Sequence, residues 1–271
     1  MEFIWILFLL LMLQPVLRQK LLENSRQRLI GRLEKERGSR VILMVHRQET
    51  MGLLGFPIFR YIDVDDAEQV LRAIHLTDPS LPIDLVLHTP GGLVLPSMQI
   101  ARALARREGE VRVLVPHMAM SGGTLIALAA ARIIMTEHAV LGPVDPQLDG
   151  MPGVSLRKVV EHKPIERIDD RTLVLADQAE KAQVQICAAI KALCGPRLGD
   201  ATAQTLADTL CAGSFTHDHP ILVEDAKALG LPIETDMPEA VLDLMALYPQ
   251  PTRHQPSVEY LPVPRGPEKK G

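Results

Sequence analysis

One serine of this sequence stands where a nucleophile would be expected. In "VLVPHMAMSGGTLIALAAARIIM", residues 113–135, Ser121 follows an apolar, strand-like run and precedes Gly122, Gly123 and a run of small residues typical of a helix. A residue that ends a buried strand and opens a helix projects from the carboxyl edge of a parallel sheet, and glycines beside it let a substrate approach the backbone. The pattern is typical of a nucleophile elbow, an exposed hydroxyl beside backbone N–H donors.

A second glycine turn repeats this geometry about one βα unit earlier. "HTPGG", His88–Gly92, closes another strand-like run, and its glycines can offer an N–H of their own. Donors from two adjacent loops make an oxyanion hole. The alternative interpretation is that Ser121 only caps a helix and that the glycines only permit tight packing. The two motifs at this spacing favour the catalytic interpretation.

The elements around these turns alternate between strands and helices. Strand-like runs are "RVILMVH", "PIDLVLHTPGG", "EVRVLVPHMA" and "RIIMTEHAVLG", and the helical stretches include "DVDDAEQVLRAIHLT", "LVLPSMQIARALARR" and "DDRTLVLADQAEKAQVQICAAIKALC". Asp residues stand at the start of the first and last of these helices, where Asp169 and Asp170 predict caps. Alternation at this spacing predicts an α/β fold with parallel strands.

The composition bounds the function further. The chain has 271 residues, 47% hydrophobic, and a net charge of -4. It can bury a sizeable core, and it has no basic footprint for nucleic acid. The three cysteines show no CxxC spacing, so buried thiols are expected instead of a disulfide framework.

The N-terminus suggests a membrane segment. Phe3–Leu17 is almost continuously apolar, and basic residues follow from Arg18 onward. The run is shorter than a full span of about 20 residues, and its length also fits a signal peptide, but Glu2 and the lack of a cleavage motif favour an uncleaved anchor. The basic residues place the remainder of the chain in the cytoplasm by the positive-inside rule. The expectation is a single-pass membrane protein.

At this point the chain resembles a known family. Its "HTPGG", "VPHMAMSGGTLIALAA", "HAVLGPVDPQL", "KPIERIDDRTLVLADQAEKA" and "THDHPILVEDAKALGLPI" stretches are similar to serine dehydrogenase proteinases, in the signal peptide peptidase A-like branch of the Clp protease/crotonase superfamily. The resemblance covers roughly residues 40–248. It implies a Clp protease/crotonase-like (ββα) spiral and a homo-oligomer. It also implies Ser121 as nucleophile, with oxyanion donors at Gly122 and at Gly91 or Gly92.

The general base is less certain from the sequence. In the Clp protease pattern a histidine follows on the next strand, but Gly142 or Pro143 falls at that position and His138 comes several residues early. Signal peptide peptidase A-like enzymes use a lysine, which burial can turn into a base. Lys163, just before the capped helix, is the predicted base. Lys181 is the alternative, although its spacing to Asp177 suits a surface ion pair.

The other polar residues have simpler interpretations. His88 and His117 are expected to orient or pack near the site, and Asp145 in "GPVDPQ" to hold the loop that frames it. The stretch Thr216–Pro220, "THDHP", suggests a metal site only weakly, because no third ligand stands nearby. No metal and no cofactor are predicted.

Together these observations predict a membrane-anchored serine endopeptidase acting on a peptide or protein substrate. Residues 1–38 are the expected anchor and charged stalk, residues 39–248 the peptidase domain, and residues 249–271 a disordered tail rich in proline and charge. The alternatives are an inactive scaffold of the same fold and acyl-thioester chemistry on it.

Overall fold

A five-stranded parallel sheet forms the centre of the molecule in the computed structural model, which describes residues 2–46, 50–51, 57–58 and 60–248. The strands are β1 Arg40–Val45, β2 Thr50–Met51, β3 Pro57–Ile58, β4 Ile83–His88, β5 Val111–Val115, β6 Met118–Ala119, β7 Arg132–Met135, β8 Val140–Leu141, β9 Gln147–Leu148, β10 Met151–Pro152 and β11 Ile233–Glu234. The helices are α1 Glu2–Arg37, α2 Val64–His75, α3 Val94–Ala105, α4 Gly122–Ala127, α5 Gly153–His162, α6 Asp170–Leu198, α7 Asp200–Cys211, α8 Val223–Ala228 and α9 Glu239–Ala246, with a 3-10 turn at Ile165–Arg167.

The sheet order is β1-β4-β5-β7-β11, and each neighbouring pair is parallel. The predicted α/β architecture with parallel strands is therefore confirmed. The strand-like run "EVRVLVPHMA" is divided, because β5 ends at Val115, immediately before Pro116, which has no N–H for the ladder. The chain resumes as β6, which pairs with β8 beyond the main sheet and leads directly to Ser121.

Both faces of the sheet are covered, which explains the unbroken apolar runs of its strands. Along β4, Leu85 and Leu87 belong to the larger core with α2, α3 and α4, whereas Val86 belongs to a smaller core with Leu33 of α1 and Val241 of α9. Alternate side chains of a strand point to opposite faces. The sheet thus fixes the carboxyl ends of β4 and β5 side by side.

The predicted Asp caps are confirmed at the starts of α2 and α6, whereas Asp170, also predicted as a cap, is the first residue of α6 itself. Asp63 begins α2 with a capping box, in which its side chain accepts from the N–H of Asp66 and the Asp66 carboxylate accepts from the N–H of Asp63. Asp169 begins α6 and accepts from the N–H of Thr172. Both caps satisfy N–H groups that the first helical turn leaves without partners.

The expected single-pass membrane protein is wrong for this structure. Within residues 2–46 and 60–248, no helix is both long enough and apolar enough to cross a membrane. The apolar run Phe3–Leu17 is shorter than the roughly 20 residues of a span, and in α1 it continues directly into a charged segment.

The charged end of α1, predicted as a stalk, packs on the sheet. Leu33 is buried there, and Arg37 donates to the buried carboxylate of Asp84 on β4 from its Nε at 2.7 Å. Ser39 and Arg112 also contact that carboxylate, with the Arg112 Nε 2.7 Å from Asp84 Oδ1. The boundaries at residues 38 and 248 stay predictions, and the predicted tail of residues 249–271 lies outside the described residues.

The expectation of unpaired thiols is wrong for two of the cysteines. Cys187 of α6 and Cys211 of α7 form a disulfide across a separation of 24 residues, whereas Cys194 is free and buried. The pairing depends on how α6 and α7 pack against each other, so the residue spacing did not reveal it. Burial raises the pKa of the Cys194 thiol to about 11.

Candidate active site

Ser121 lies at a sharp turn between β6 and α4. Its backbone has φ 50° and ψ -113°, a left-handed conformation that residues other than glycine rarely adopt. Such backbone strain costs on the order of 1–3 kcal/mol and persists only when the surrounding structure enforces it. A strained strand-to-helix turn that exposes a serine hydroxyl is the geometry of a nucleophile elbow.

Glycines make this turn sterically feasible. Gly91, with φ 108°, lies so close to the serine that a Cβ added to it would be 2.8 Å from the Ser121 Cβ. A Cβ on Gly122 would be 2.3 Å from the Ser97 hydroxyl oxygen of α3. A larger residue at Gly91 would therefore push the glycine turn away from Ser121, and one at Gly122 would push α4 away from α3.

Two backbone N–H groups beside Ser121 are available to an oxyanion. The Gly91 N–H already donates to the Thr89 hydroxyl oxygen at 3.1 Å. Within the described residues, the N–H groups of Gly92 and Gly122 have no acceptor. A Cβ on Gly122 would lie 3.6 Å from the Gly92 nitrogen, so the two donors are adjacent. Of the alternatives Gly91 and Gly92, the geometry favours Gly92.

The elbow opens into a cavity of about 290 Å³. Its walls combine the elbow, the glycine turn, apolar side chains and three polar side chains from distant parts of the chain. The residues lining it are Pro90, Gly92, Leu93, Val94, Ser121, Gly122, Leu125, Val144, Asp145, Pro146, Gln147, Ile186 and His217.

A histidine–carboxylate pair lies in the same cavity as Ser121. His217 Nδ1 is 2.7 Å from Asp145 Oδ1, and the Asp145 side chain is only 3% exposed. The second oxygen of that carboxylate accepts from Gln147 Nε2 at 2.6 Å. A buried carboxylate on Nδ1 orients the imidazole and leaves Nε2 as the nitrogen for proton transfer, the arrangement found in Ser-His-Asp triads whatever their order along the chain.

Long-range contacts hold the loop that carries His217. The loop begins after Cys211, whose disulfide ties it to α6, and it ends at Ile221, which forms an antiparallel bridge with Leu141 of β8. The N–H of Val144, next to Asp145, donates to Leu210 at 2.8 Å. Sequence reasoning noticed both Asp145 and "THDHP" but gave neither a catalytic role. The sequence signal that could have found the pair was Asp145 in the loop "GPVDPQ" at the end of a strand. A buried carboxylate there would need a hydrogen-bonding partner.

The predicted lysine bases do not line this cavity. Lys163 is the exposed residue that ends α5. Lys181 is exposed on α6, with its Nζ 2.6 Å from the Asp177 carboxylate, the i,i+4 ion pair that its spacing indicated. Both lysines are exposed, and neither borders the cavity of Ser121.

The remaining polar candidates lie around the site or away from it. His88 is buried and His117 exposed, and their rings meet edge to face at 5.5 Å. His138 is exposed. Among the described residues, no group of three or more His, Cys, Asp or Glu side chains could hold a metal ion.

Comparison with known proteins shows which family the chain is similar to. A family model described as ClpP-like SDH-type serine proteinase matches residues 1–271. An uncharacterized protein of Methanocaldococcus jannaschii is 49% identical over 260 residues, which are 96% of this chain and 91% of the relative. A second uncharacterized protein of that organism is 44% identical over 262 residues, 97% of this chain and 89% of the relative.

Proposed function

We propose that this chain, which belongs to the family of ClpP-like SDH-type serine proteinases, is a peptidase with Ser121 as nucleophile and His217, oriented by Asp145, as general base. Membership of the family confirms the resemblance based on "HTPGG" and "MSGGT", and with it a ClpP-like fold. One observation carries the proposal: the strained serine, two adjacent N–H donors and the histidine–carboxylate pair all border one cavity.

The proposed reaction proceeds through an acyl-enzyme. His217 Nε2 takes the hydroxyl proton as Ser121 Oγ bonds to the peptide carbonyl carbon. The carbonyl oxygen becomes an oxyanion that accepts from the Gly92 and Gly122 N–H groups. The imidazolium then gives its proton to the leaving nitrogen as the C–N bond breaks. In the second half-reaction His217 Nε2 takes a proton from water, whose oxygen bonds to the acyl carbon. The bond from that carbon to Ser121 Oγ then breaks, and the imidazolium returns its proton to Oγ.

This proposal replaces the lysine dyad that the resemblance suggested. The exposed positions of Lys163 and Lys181 argue against either as base, whereas His217 has a buried partner and borders the cavity of Ser121. The Lys163→Ala variant tests whether this lysine is the base instead.

The cavity walls suggest the substrate class. Leu93, Val94, Leu125, Val144 and Ile186 supply apolar surface beside the polar groups. A pocket of this kind favours an apolar side chain next to the bond that is cleaved. We propose a peptide or protein substrate with such a residue. We also propose that the protein is a homo-oligomer, as its family resemblance implies, which light scattering would check.

Acyl-thioester chemistry would use the same oxyanion hole but does not require a serine in a strained conformation. The φ of 50° at Ser121 carries a stability cost, and a nucleophilic role gives a reason to keep serine at this position. The same observation disfavours an inactive scaffold.

The test combines a fluorophosphonate serine-hydrolase probe with casein degradation. We expect Ser121→Ala to lose both signals and His217→Ala to reduce both by roughly 10²–10⁴-fold, because the base is gone. His219→Ala is the matched control, since it removes a histidine of the same loop that stacks on Phe215 at 4.2 Å and does not line the cavity. It should keep activity, as should Lys163→Ala.

Loss of activity in Lys163→Ala with activity kept in His217→Ala would return the base role to lysine. A folded wild type that shows neither probe labelling nor casein degradation would contradict the peptidase proposal. Hydrolysis of an acyl-CoA by that protein would then favour thioester chemistry.

A further inference from the structure

A second histidine–carboxylate pair lies behind the glycine turn, outside the cavity. His46 directly follows β1 and is 4% exposed. Its Nε2 is 3.2 Å from Asp66 Oδ2 of α2, and its Nδ1 is 2.8 Å from the Thr89 hydroxyl oxygen. The Thr89 hydroxyl in turn accepts from the Gly91 N–H at 3.1 Å. These contacts form a continuous chain from α2 to the oxyanion loop.

Asp66 makes Nε2 of His46 a hydrogen-bond donor. Burial alone would raise the pKa of Asp66, but hydrogen bonds from His46 and from the Asp63 N–H lower it below its ordinary value. A carboxylate only accepts, so His46 Nε2 donates to Asp66. His46 Nδ1 shares a hydrogen bond with the Thr89 hydroxyl, which also lies 3.3 Å from the Gly91 carbonyl oxygen. The lone pairs of that hydroxyl remain for the Gly91 N–H. Each of these polar groups is thereby satisfied.

Thr89 lies between the two halves of the proposed site. Its N–H donates to Met118 and its carbonyl accepts from Met120, so its backbone is fixed to the strand that leads to Ser121. A Cβ added to Gly123 would be 2.5 Å from the Thr89 methyl carbon, so the methyl packs against the first turn of α4. Because Thr89 is held rigidly, its hydroxyl keeps the Gly91 N–H directed away from the cavity.

The direction of the Gly91 amide determines which donor faces the substrate. The Gly91 carbonyl accepts from the Ile62 N–H at 2.8 Å, and the Leu93 N–H donates to Ile62 at 2.9 Å. The N–H groups of Gly91 and Leu93 both donate to other acceptors. The Gly92 N–H between them is therefore the donor of this turn that an oxyanion can use. Misplacing such a donor weakens its bond to the transition state more than substrate binding.

We propose that Asp66, His46 and Thr89 form a positioning relay that fixes the glycine turn with the Gly92 N–H directed at the oxyanion, an inference that rests on the proposed function. None of the three residues lines the cavity, so none touches the substrate. They act through Gly91 and are positioning residues.

The test compares Thr89→Val, which keeps the shape and removes the hydroxyl, with Thr89→Ser, which keeps the hydroxyl. We expect Thr89→Val to lower kcat by about 10–100-fold, as for a misplaced oxyanion donor, with KM unchanged. Thr89→Ser should restore kcat. In a Ser121→Ala background, Thr89→Val should leave the dissociation constant of the peptide substrate unchanged.

The position of the proton on the His46 ring gives a readout that does not depend on turnover. Nitrogen-15 NMR of histidine-labelled wild type should show His46 protonated at Nε2, the nitrogen that faces the Asp66 carboxylate. A ring protonated at Nδ1 instead, or an active wild type whose Thr89→Val variant keeps its kcat, would overturn the relay and leave the peptidase proposal intact. A wild type with no turnover would overturn the proposed function and, with it, the catalytic role of the relay.

Discussion

Ser121 combines a catalytic position with a backbone conformation unsuited to its side chain. Its φ of 50° is one that glycine adopts without steric cost. Ser121→Gly and Ser121→Ala both remove the hydroxyl, but only glycine relieves the strain. We expect the glycine variant to be more stable than the alanine variant by about 1 kcal/mol, after the larger entropy of its unfolded chain is taken into account.

Thermal unfolding of the two variants measures this difference. Equal melting temperatures would mean that the turn tolerates a side chain without strain, and the elbow argument would lose its energetic basis.

At the residue scale, the sequence predicted the groups whose position depends on local structure. Ser121, Gly92 and Gly122 follow strands directly, so their placement needed only the order of the elements. His217 could not be placed in this way, because its contact with Asp145 depends on a bridge between Ile221 and Leu141. Lys163 was chosen by family analogy, and the structure places it exposed, directly after α5 and outside the lining of the Ser121 cavity.

At the element scale, the disulfide between α6 and α7 supports the wall of the cavity. Cys187 neighbours Ile186, which lines the cavity, and Cys211 precedes the loop of His217. A disulfide that closes a loop of this size contributes about 2–4 kcal/mol to stability. We expect the paired Cys187→Ser and Cys211→Ser substitutions to lower both the melting temperature and the peptidase activity.

Cys194→Ser is the matched control and should preserve activity. Thiol titration in denaturant should detect only Cys194 before reduction and all 3 cysteines of the chain afterwards. Native Cys194, with a pKa of about 11, should resist alkylation at pH 8. Detection of three thiols without a reductant would contradict the disulfide.

Strands were more predictable than the connections between them. The buried parallel strands are visible as apolar runs, because both faces of the sheet are covered. The division between β5 and β6 follows from Pro116, a local signal that the sequence interpretation passed over. The contact of α1 with α9 joins distant parts of the chain, so the charged end of α1 was expected to be a stalk.

At the scale of the whole molecule, acidic pH should weaken the fold. Five carboxyl groups of the described residues have a pKa below the ordinary value, and hydrogen bonds from neighbouring groups are the main lowering influence. They are Asp66, Asp78, Glu110, Asp169 and Asp218. A carboxyl whose pKa is lower in the folded state contributes stability above its unfolded pKa and loses it as pH falls through the folded value.

The ordinary values are 3.8 for Asp and 4.5 for Glu, so the loss should begin below about pH 4.5 and grow toward pH 3. Circular dichroism melting at pH 6, 4 and 3 would measure it. In Glu110→Gln, which removes the ion pair with Arg132, the decline should be shallower. A melting temperature independent of pH across this range would contradict the argument.

The strained turn of Ser121 has a consequence for how such a sequence can change over generations. The substitution expected to stabilise this turn, serine to glycine, is also the one that would abolish the proposed chemistry. Selection for folding alone would therefore favour descendants without the hydroxyl. In any lineage of this fold, a serine retained at the turn indicates selection for catalysis. A glycine there would identify a protein on which that selection no longer acts.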